Sequence, residues 1–227
     1  MTKQLTLAYS PFGDRGKSIY PFNAIYPESF NPLETGSLEG ADALLLWGGE
    51  DINPAFYRQE FHLRTDRTGH TGTPSLRDMV EWQLMHEAKT KDIPIIGVCR
   101  GAQFLCVFAG GSLIQDCKGH FSSHGIVTTD GLSMSASANH HQVMNPAPGT
   151  YKVLAWAEKF GTDHQIEYGK TPQGVLFDKG IDPEVLWFPH IQGLAIQPHP
   201  EWMPENSQFV KWVLEQVTKY CVEGEEA

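Results

Sequence analysis

The sequence predicts an α/β fold, a three-layer arrangement with a central mostly parallel sheet covered on both faces, and three observations carry that expectation. Apolar runs at Ala43-Leu44-Leu45-Leu46-Trp47, Ile95-Ile96-Gly97-Val98 and Gly193-Leu194-Ala195-Ile196-Gln197 are continuous rather than alternating, as strands buried on both faces are. Segments of helical period lie between and after these runs. Each run also ends in chemically loaded residues, Gly48-Gly49, Cys99 and His199-Pro200-Glu201. In parallel sheets the carboxyl ends of the strands are where ligands bind. At 227 residues the chain is read as one domain over 1–227.

The elements follow in order. Leu5-Thr6-Leu7-Ala8-Tyr9 reads as a short buried strand, and Ser10-Pro11-Phe12-Gly13-Asp14 as a turn. Residues 15–40 are rich in Pro, Gly, Asn and aromatics without a period, and are expected to be irregular. After the strand at 43–47, Gly48-Gly49 lets the backbone come close to a ligand, and the side chains of Asp51 and Asn53 can also hold a tight turn. The polar stretch from Arg58 to Ser75 is a surface excursion of flap length. Leu76 to Lys91 is a helix by its apolar spacing, closed by Asp92-Ile93-Pro94. A helix that is apolar nearly all round follows Cys99, ending at Gly110-Gly111 in a left-handed cap. His120 to His141 reads as polar loop, Tyr151–Ala157 as a strand, and Gln165–Tyr168 and Glu184–Phe188 as further short strands. Pro204 is expected to open a closing amphipathic helix carrying Phe209, Val210, Val213, Val217 and Tyr220 on one side.

The stretch Gly97-Val98-Cys99-Arg100-Gly101 is a strand turning sharply into a helix. The apex residue of so tight a bend is strained, and a Cβ two positions to either side would collide with a neighbouring element, which the two glycines avoid. The Cys99 side chain then projects from the strand end toward the first N–H groups of the helix, whose dipole stabilises a thiolate. A free cysteine is as often a small buried hydrophobe, and that reading suits Cys106, two helical turns further on. The His199-Pro200-Glu201 segment supplies what Cys99 lacks. Proline biases His199 toward an extended backbone, in which residues i and i+2 project to one side, so the carboxylate reaches the ring. A carboxylate on one ring nitrogen fixes the tautomer and raises the basicity of the other, the base half of a Cys-His-acid relay.

Composition bounds the partners. The formal net charge of −10 disfavours nucleic acid and anionic membrane surfaces. No run approaches the roughly 18 to 20 apolar residues of a membrane span. The four cysteines form no Cys-x-x-Cys pair, the N-terminus has no signal-peptide pattern, and a cytoplasmic protein with reduced thiols is expected.

Three segments together resemble the class I glutamine amidotransferases, and within them the γ-glutamyl hydrolase branch that includes γ-glutamyl-γ-aminobutyrate hydrolase. They are Gly97-Val98-Cys99-Arg100-Gly101-Ala102-Gln103, Gln197-x-His199-Pro200-Glu201, and Gly48-Gly49-Glu50-Asp51-x-x-Pro54-x-x-Tyr57. The likeness runs from about residue 41 to 203. The resemblance implies a flavodoxin-like fold, a Cys99-His199-Glu201 triad, and an oxyanion hole from the backbone N–H groups of Gly49 and Arg100. It also implies that Gly48, Gln103 and the His140-His141 pair contact a small γ-glutamyl substrate, which is cleaved through a thioester. Two departures stand out. The aromatic residue that usually precedes the triad histidine is Pro198 here, and the usual Asn-Ser before the paired histidines is Ser137-Ala138.

Other readings fare less well. A serine-hydrolase-like enzyme would place the acid before the histidine in the chain, whereas Glu201 follows His199. His120-x-x-x-His124 would offer a metal two ligands only on a helix, and Gly119, Ser122, Ser123 and Gly125 oppose one, so no metal and no cofactor are expected. A binding module that has lost its chemistry fits poorly with three triad residues present. Within the family, a free hydrolase and an ammonia-donating glutaminase subunit with a separate synthetase chain both remain, as does a homodimer.

Overall fold

A computed structural model describes residues 4–13, 18–62, 65, 72–159 and 180–224. Its strands are β1 (Thr6–Tyr9), β2 (Glu28–Phe30), β3 (Ala43–Leu46), β4 (Ile95–Val98), β5 (Ser112–Ile114), β6 (His124–Thr128), β7 (Ser133–Ala136), β8 (Val143–Asn145), β9 (Lys152–Ala157), β10 (Pro183–Phe188) and β11 (Gly193–Ile196). The helices are α1 (Pro32–Thr35), α2 (Leu76–Thr90), α3 (Arg100–Phe108) and α4 (Gln208–Val217). Among the described residues, nine strands form one sheet in the order β2-β1-β3-β4-β11-β10-β9-β6-β7, and β5 pairs with β8 apart from it.

The sheet has two characters. From β2 to β11 every pairing is parallel. From β11 to β7 every pairing is antiparallel. Within the parallel part, the continuous apolar runs announced β3, β4 and β11, which are buried on both faces, while the edge strand β2 is largely exposed. Along β3, Ala43 and Leu45 face one core with Val213 and Val217 of α4, while Leu44 and Leu46 face the other with Leu84 and Met85 of α2 and Leu105 of α3. Alternate side chains of one strand thus feed two separate cores, giving the three layers expected.

Three expectations change. Residues 15–40 are not all irregular, since β2 and α1 lie there, with Asn31 capping α1 by accepting from the Leu33 N–H at 3.0 Å. The stretch from His120 to His141 is not all loop. It holds the β6–β7 hairpin, whose alternation is carried by small residues, Ser133 and Ser135 outward and Met134 and Ala136 inward. The closing helix starts at Gln208 instead of Pro204, because the Pro204 carbonyl accepts from Ser207 in a turn and the Ser207 hydroxyl caps the Val210 N–H at 3.2 Å. The expected strand at Gln165–Tyr168 and most of the Arg58–Ser75 excursion lie outside the described residues. The left-handed cap after α3 is present: Gly110 has φ +90°, with Gly110 N–H bonded to Val107 and Gly111 N–H to Cys106.

Helix α2 does more than cover the sheet. Its N-terminus is fixed by a reciprocal box in which the Ser75 hydroxyl accepts from Asp78 N–H and the Asp78 carboxylate accepts from Ser75 N–H. Arg77 and Glu81, one turn apart, point inward and are almost fully buried. Arg77 Nη2 donates to the carbonyls of Trp47 and Gly48 at 2.7 and 3.0 Å, and its Nη1 to Glu50 at 3.0 Å. Glu81 accepts from Arg77 Nε at 3.0 Å, from the Ser10 hydroxyl at 2.7 Å, and from Arg100 Nη1. Arg100 Nη2 reaches Asp78 at 2.5 Å. One helix thereby fastens the loop after β3 to the first residue of α3.

Two predictions follow from this packing. Replacing Glu81 with Gln leaves two buried guanidinium groups short of a countercharge, and urea unfolding should show a loss of about 3 to 5 kcal/mol. At Gly101 an added Cβ would strike the Leu46 carbonyl, whereas at Gly110 it would meet open space at a positive φ. Gly101→Ala should therefore cost about 3 kcal/mol or more and Gly110→Ala about 1 kcal/mol, measured the same way.

Candidate active site

Cys99 stands at the apex between β4 and α3 with φ 50° and ψ −104°, a conformation that non-glycine residues avoid. The bend is held from both ends: Cys99 N–H donates to the Ile196 carbonyl at 2.8 Å, and its own carbonyl accepts from Gln103 N–H at 3.0 Å. The flanking glycines act as the sequence suggested. A Cβ on Gly97 would collide with the Gly101 carbonyl, and one on Gly101 with Leu46. Strain at a single cysteine persists because the elements around it leave no alternative path.

β11 pairs in parallel with β4, so the two strands end side by side and deliver His199 next to Cys99. Gly48, just past the end of the neighbouring β3, packs against both: a Cβ there would sit 3.0 Å from His199 Cε1 and 3.4 Å from Cys99 Cβ. That is the physical reason for a glycine at 48. At 49, with φ +147°, the space a side chain would take is filled by the Arg77 guanidinium. The glycine pair therefore admits two protein groups to the loop, and the N–H groups of Gly49 and Arg100 belong to the two segments that α2 ties together.

Glu201 Oε1 is 2.7 Å from His199 Nδ1, the same-side geometry expected of His-Pro-Glu. Burial works against a charged ring, but the Cys99 sulfur and the Glu201 carboxylate outweigh it and raise His199 to about 9. The ring also stacks on Trp202, with centroids 3.6 Å apart and planes 2° from parallel. This contact favours the protonated ring and limits its rotation. The His199 N–H donates to the Ser137 carbonyl at 2.7 Å. A main-chain bond of this kind is indifferent to the Ser137-Ala138 departure in side chains.

The remaining residues separate into two groups. Gln103, one turn along α3 from Cys99, donates through Nε2 to the Gln142 carbonyl at 3.2 Å. His141 Nε2 lies 3.0 Å from Asp51, and Nδ1 lies 3.5 Å from Asp116. Burial opposes its charge, and these carboxylates raise its pKa nonetheless. His140 turns elsewhere. Its ring stacks toward His120, 4.6 Å between centroids, in a buried cluster with His124, Asp182 and Glu184. Sequence reasoning had no place for Arg77, Asp78, Glu81, Trp202, Asp182 or Glu184 in the site; it gave His140 to the substrate end and weighed His120 and His124 as metal ligands without bringing the three together. A signal existed only for the first three, in the Ser75-x-x-Asp78 start of α2 and the Arg77–Glu81 spacing.

Comparison with known proteins bears on the family and the fold. The Peptidase C26 family matches residues 31–163. The glutamine amidotransferase-like protein YvdE of Lactococcus lactis subsp. lactis is 37% identical over 182 residues, 77% of this chain and 72% of the relative. Protein NtpR of Enterococcus hirae is 37% identical over 92 residues, 40% of this chain and 36% of its own length. The chain spans only 34% and 28% of the length of two further relatives, from Mycobacterium tuberculosis and Schizosaccharomyces pombe. Among solved structures, a glutamine amidotransferase of Thermotoga maritima superposes with a TM-score of 0.57 at 12% identity, over 97% of this chain and 86% of that one, a likeness of fold. No helix among the described residues is long and apolar enough to cross a membrane. The extent of the family match, and of the likeness to YvdE, establishes that the chain belongs to the Peptidase C26 family of class I glutamine amidotransferase-like proteins.

Proposed function

We propose that the chain is a thiol hydrolase that cleaves the γ-glutamyl amide bond of glutamine or of a γ-glutamyl amine or peptide. The observation that carries this reading is the strained Cys99 apex beside the His199–Glu201 pair, with the side-chain-free Gly48 packed against both. The Cys99 thiolate attacks the side-chain carbonyl, and the N–H groups of Gly49 and Arg100 stabilise the oxyanion, each donor worth about 3 kcal/mol. His199 gives its proton to the leaving amine as the tetrahedral intermediate collapses to a thioester. It then takes a proton from the water that hydrolyses the thioester, returning the thiol and releasing the glutamyl acid. Gly48, Gln103, His140 and His141 are assigned to the glutamyl end on family resemblance. Of these, His140 is the weakest candidate, since one ring nitrogen is 2.9 Å from the Gln142 carbonyl and the other faces Glu184.

A second reading keeps the same chemistry and changes the fate of the amine. In it the chain is a glutaminase that passes ammonia to a synthetase on a separate chain, and matched relatives carry the name glutamine amidotransferase. Product release from glutamine and from a panel of γ-glutamyl amines and peptides distinguishes the two. Hydrolysis of γ-glutamyl amines by the chain alone supports the hydrolase, and turnover of glutamine only with a second protein present supports the glutaminase.

Cys99→Ala should abolish turnover and prevent covalent labelling by 6-diazo-5-oxo-norleucine, while the circular dichroism spectrum stays unchanged. Labelling of the variant to wild-type extent would overturn the assignment. The pH profile gives a separate check. With His199 raised to about 9 from 6.5, its proton is held at neutral pH and lost as pH rises through about 9. The ion pairing that raises it contributes stability that is complete below 6.5 and disappears over the same rise. The alkaline limb of kcat/KM should therefore fall near pH 9, and Glu201→Gln, which removes one of the two groups raising the ring, should move that limb to lower pH.

A further inference from the structure

We propose that the cluster of His120, His140 and Glu184 is a binding site for a divalent transition metal of the zinc type. It lies where the segment before β6, the segment after β7 and β10 meet, and the proposal does not depend on the chemistry of Cys99. One nitrogen or oxygen from each residue lies within 4.8 Å of the others, and all three residues are buried.

The pattern of hydrogen bonds points to a cation. Each of the three side chains has one polar atom engaged and one without a hydrogen bond. His120 Nε2 is held by Asp182 at 3.2 Å, His140 Nδ1 by the Gln142 carbonyl at 2.9 Å, and Glu184 Oε1 by His124 Nε2 at 2.7 Å. The atoms left over are His120 Nδ1, His140 Nε2 and Glu184 Oε2. His120 Nδ1 does approach Glu184 Oε1 at 3.2 Å, but not in hydrogen-bond geometry, and His140 Nε2 is 3.9 Å from Glu184 Oε2. Buried polar atoms are rarely left unsatisfied, and three of them facing one another ask for a shared partner.

Their partners on the far side match what metal-binding histidines have. Such a ring donates its second N–H to a carboxylate or a carbonyl, which fixes the tautomer and aims the other nitrogen. Asp182 and Gln142 stand in those positions. Two imidazoles and one carboxylate suit zinc and its neighbours, whereas magnesium and calcium prefer oxygen throughout. In a tetrahedral site with bonds of about 2.0 to 2.1 Å the ligand atoms would be about 3.4 Å apart. From separations of up to 4.8 Å the cluster needs to tighten by about 1.4 Å at most, within the reach of side-chain rotation. A fourth position would fall to water.

A metal here would have a structural effect. Glu184 accepts the Gln197 N–H through its carbonyl at 2.8 Å, two residues before His199, and His140 N–H donates to the His120 carbonyl at 3.0 Å. The ion would pin the antiparallel half of the sheet to the end of β11.

The test is a titration of the full chain, stripped with a chelator, with zinc followed by calorimetry and with cobalt followed by its visible ligand-field absorption. The expected result is one equivalent bound, a cobalt spectrum of low coordination number without a thiolate charge-transfer band, and a higher Tm with metal. His140→Gln and Glu184→Gln should each weaken binding at least 100-fold, and Cys99→Ser should bind as the natural chain does. Absence of stoichiometric uptake by the natural chain would overturn the proposal without recourse to any variant. So would metal binding that survives both substitutions, or that is lost with Cys99→Ser.

Discussion

A single buried carboxylate governs the geometry of this protein. Glu81 accepts from Arg77, Arg100 and Ser10, and with no exposure to solvent it has no water to replace any of them. Charges held in a low-dielectric interior cannot be rearranged cheaply, so the two arginines are fixed in place once α2 is packed. Arg77 then fixes the carbonyls of Trp47 and Gly48, while Arg100 is itself the first residue of α3. The two segments proposed to donate to an oxyanion are thus located by one ion cluster rather than by the separate conformations of two loops.

Much of the site was readable because its rules are local. The steric demand at Gly97, where a Cβ would meet the Gly101 carbonyl, and the same-side projection of His199 and Glu201 depend on residues within a few positions of each other, and neither needs knowledge of the rest of the fold. Gly101 differs, since the atom its missing Cβ avoids is the distant Leu46 carbonyl. The ion cluster was not readable for the opposite reason. Arg77 and Glu81 spaced one turn apart on a helix look like a solvated pair, and only the closure of the β3 loop over α2 makes them internal. The same holds for His120, His140 and Glu184, which come from three segments, none of them helical, so that no spacing in the chain announces their meeting.

The fold was legible to a similar extent and with a similar boundary. Continuous apolar runs mark strands buried on both faces, and these gave β1, β3, β4 and β11. The β6–β7 hairpin escaped because its inward residues include Ala136 and its outward ones are serines, a weak contrast for period-two alternation. Helix α4 was placed early by Pro204, since proline is also at home in the turn that precedes a cap. In each case the ambiguous residue was one with two comfortable local roles, and distant packing chose between them.

The two characters of the sheet bear on how this architecture tolerates change. Parallel neighbours must be joined by long crossovers that carry their own helices, while antiparallel neighbours can be joined by a short reversal. Cys99, His199 and the Gly48 loop all sit on the parallel side, so an insertion there disturbs a layer. On the far side a hairpin can grow or shrink at its tip and leave the ends of β4 and β11 where they are. Such a molecule resembles a vice with one jaw bolted and the other free to be exchanged.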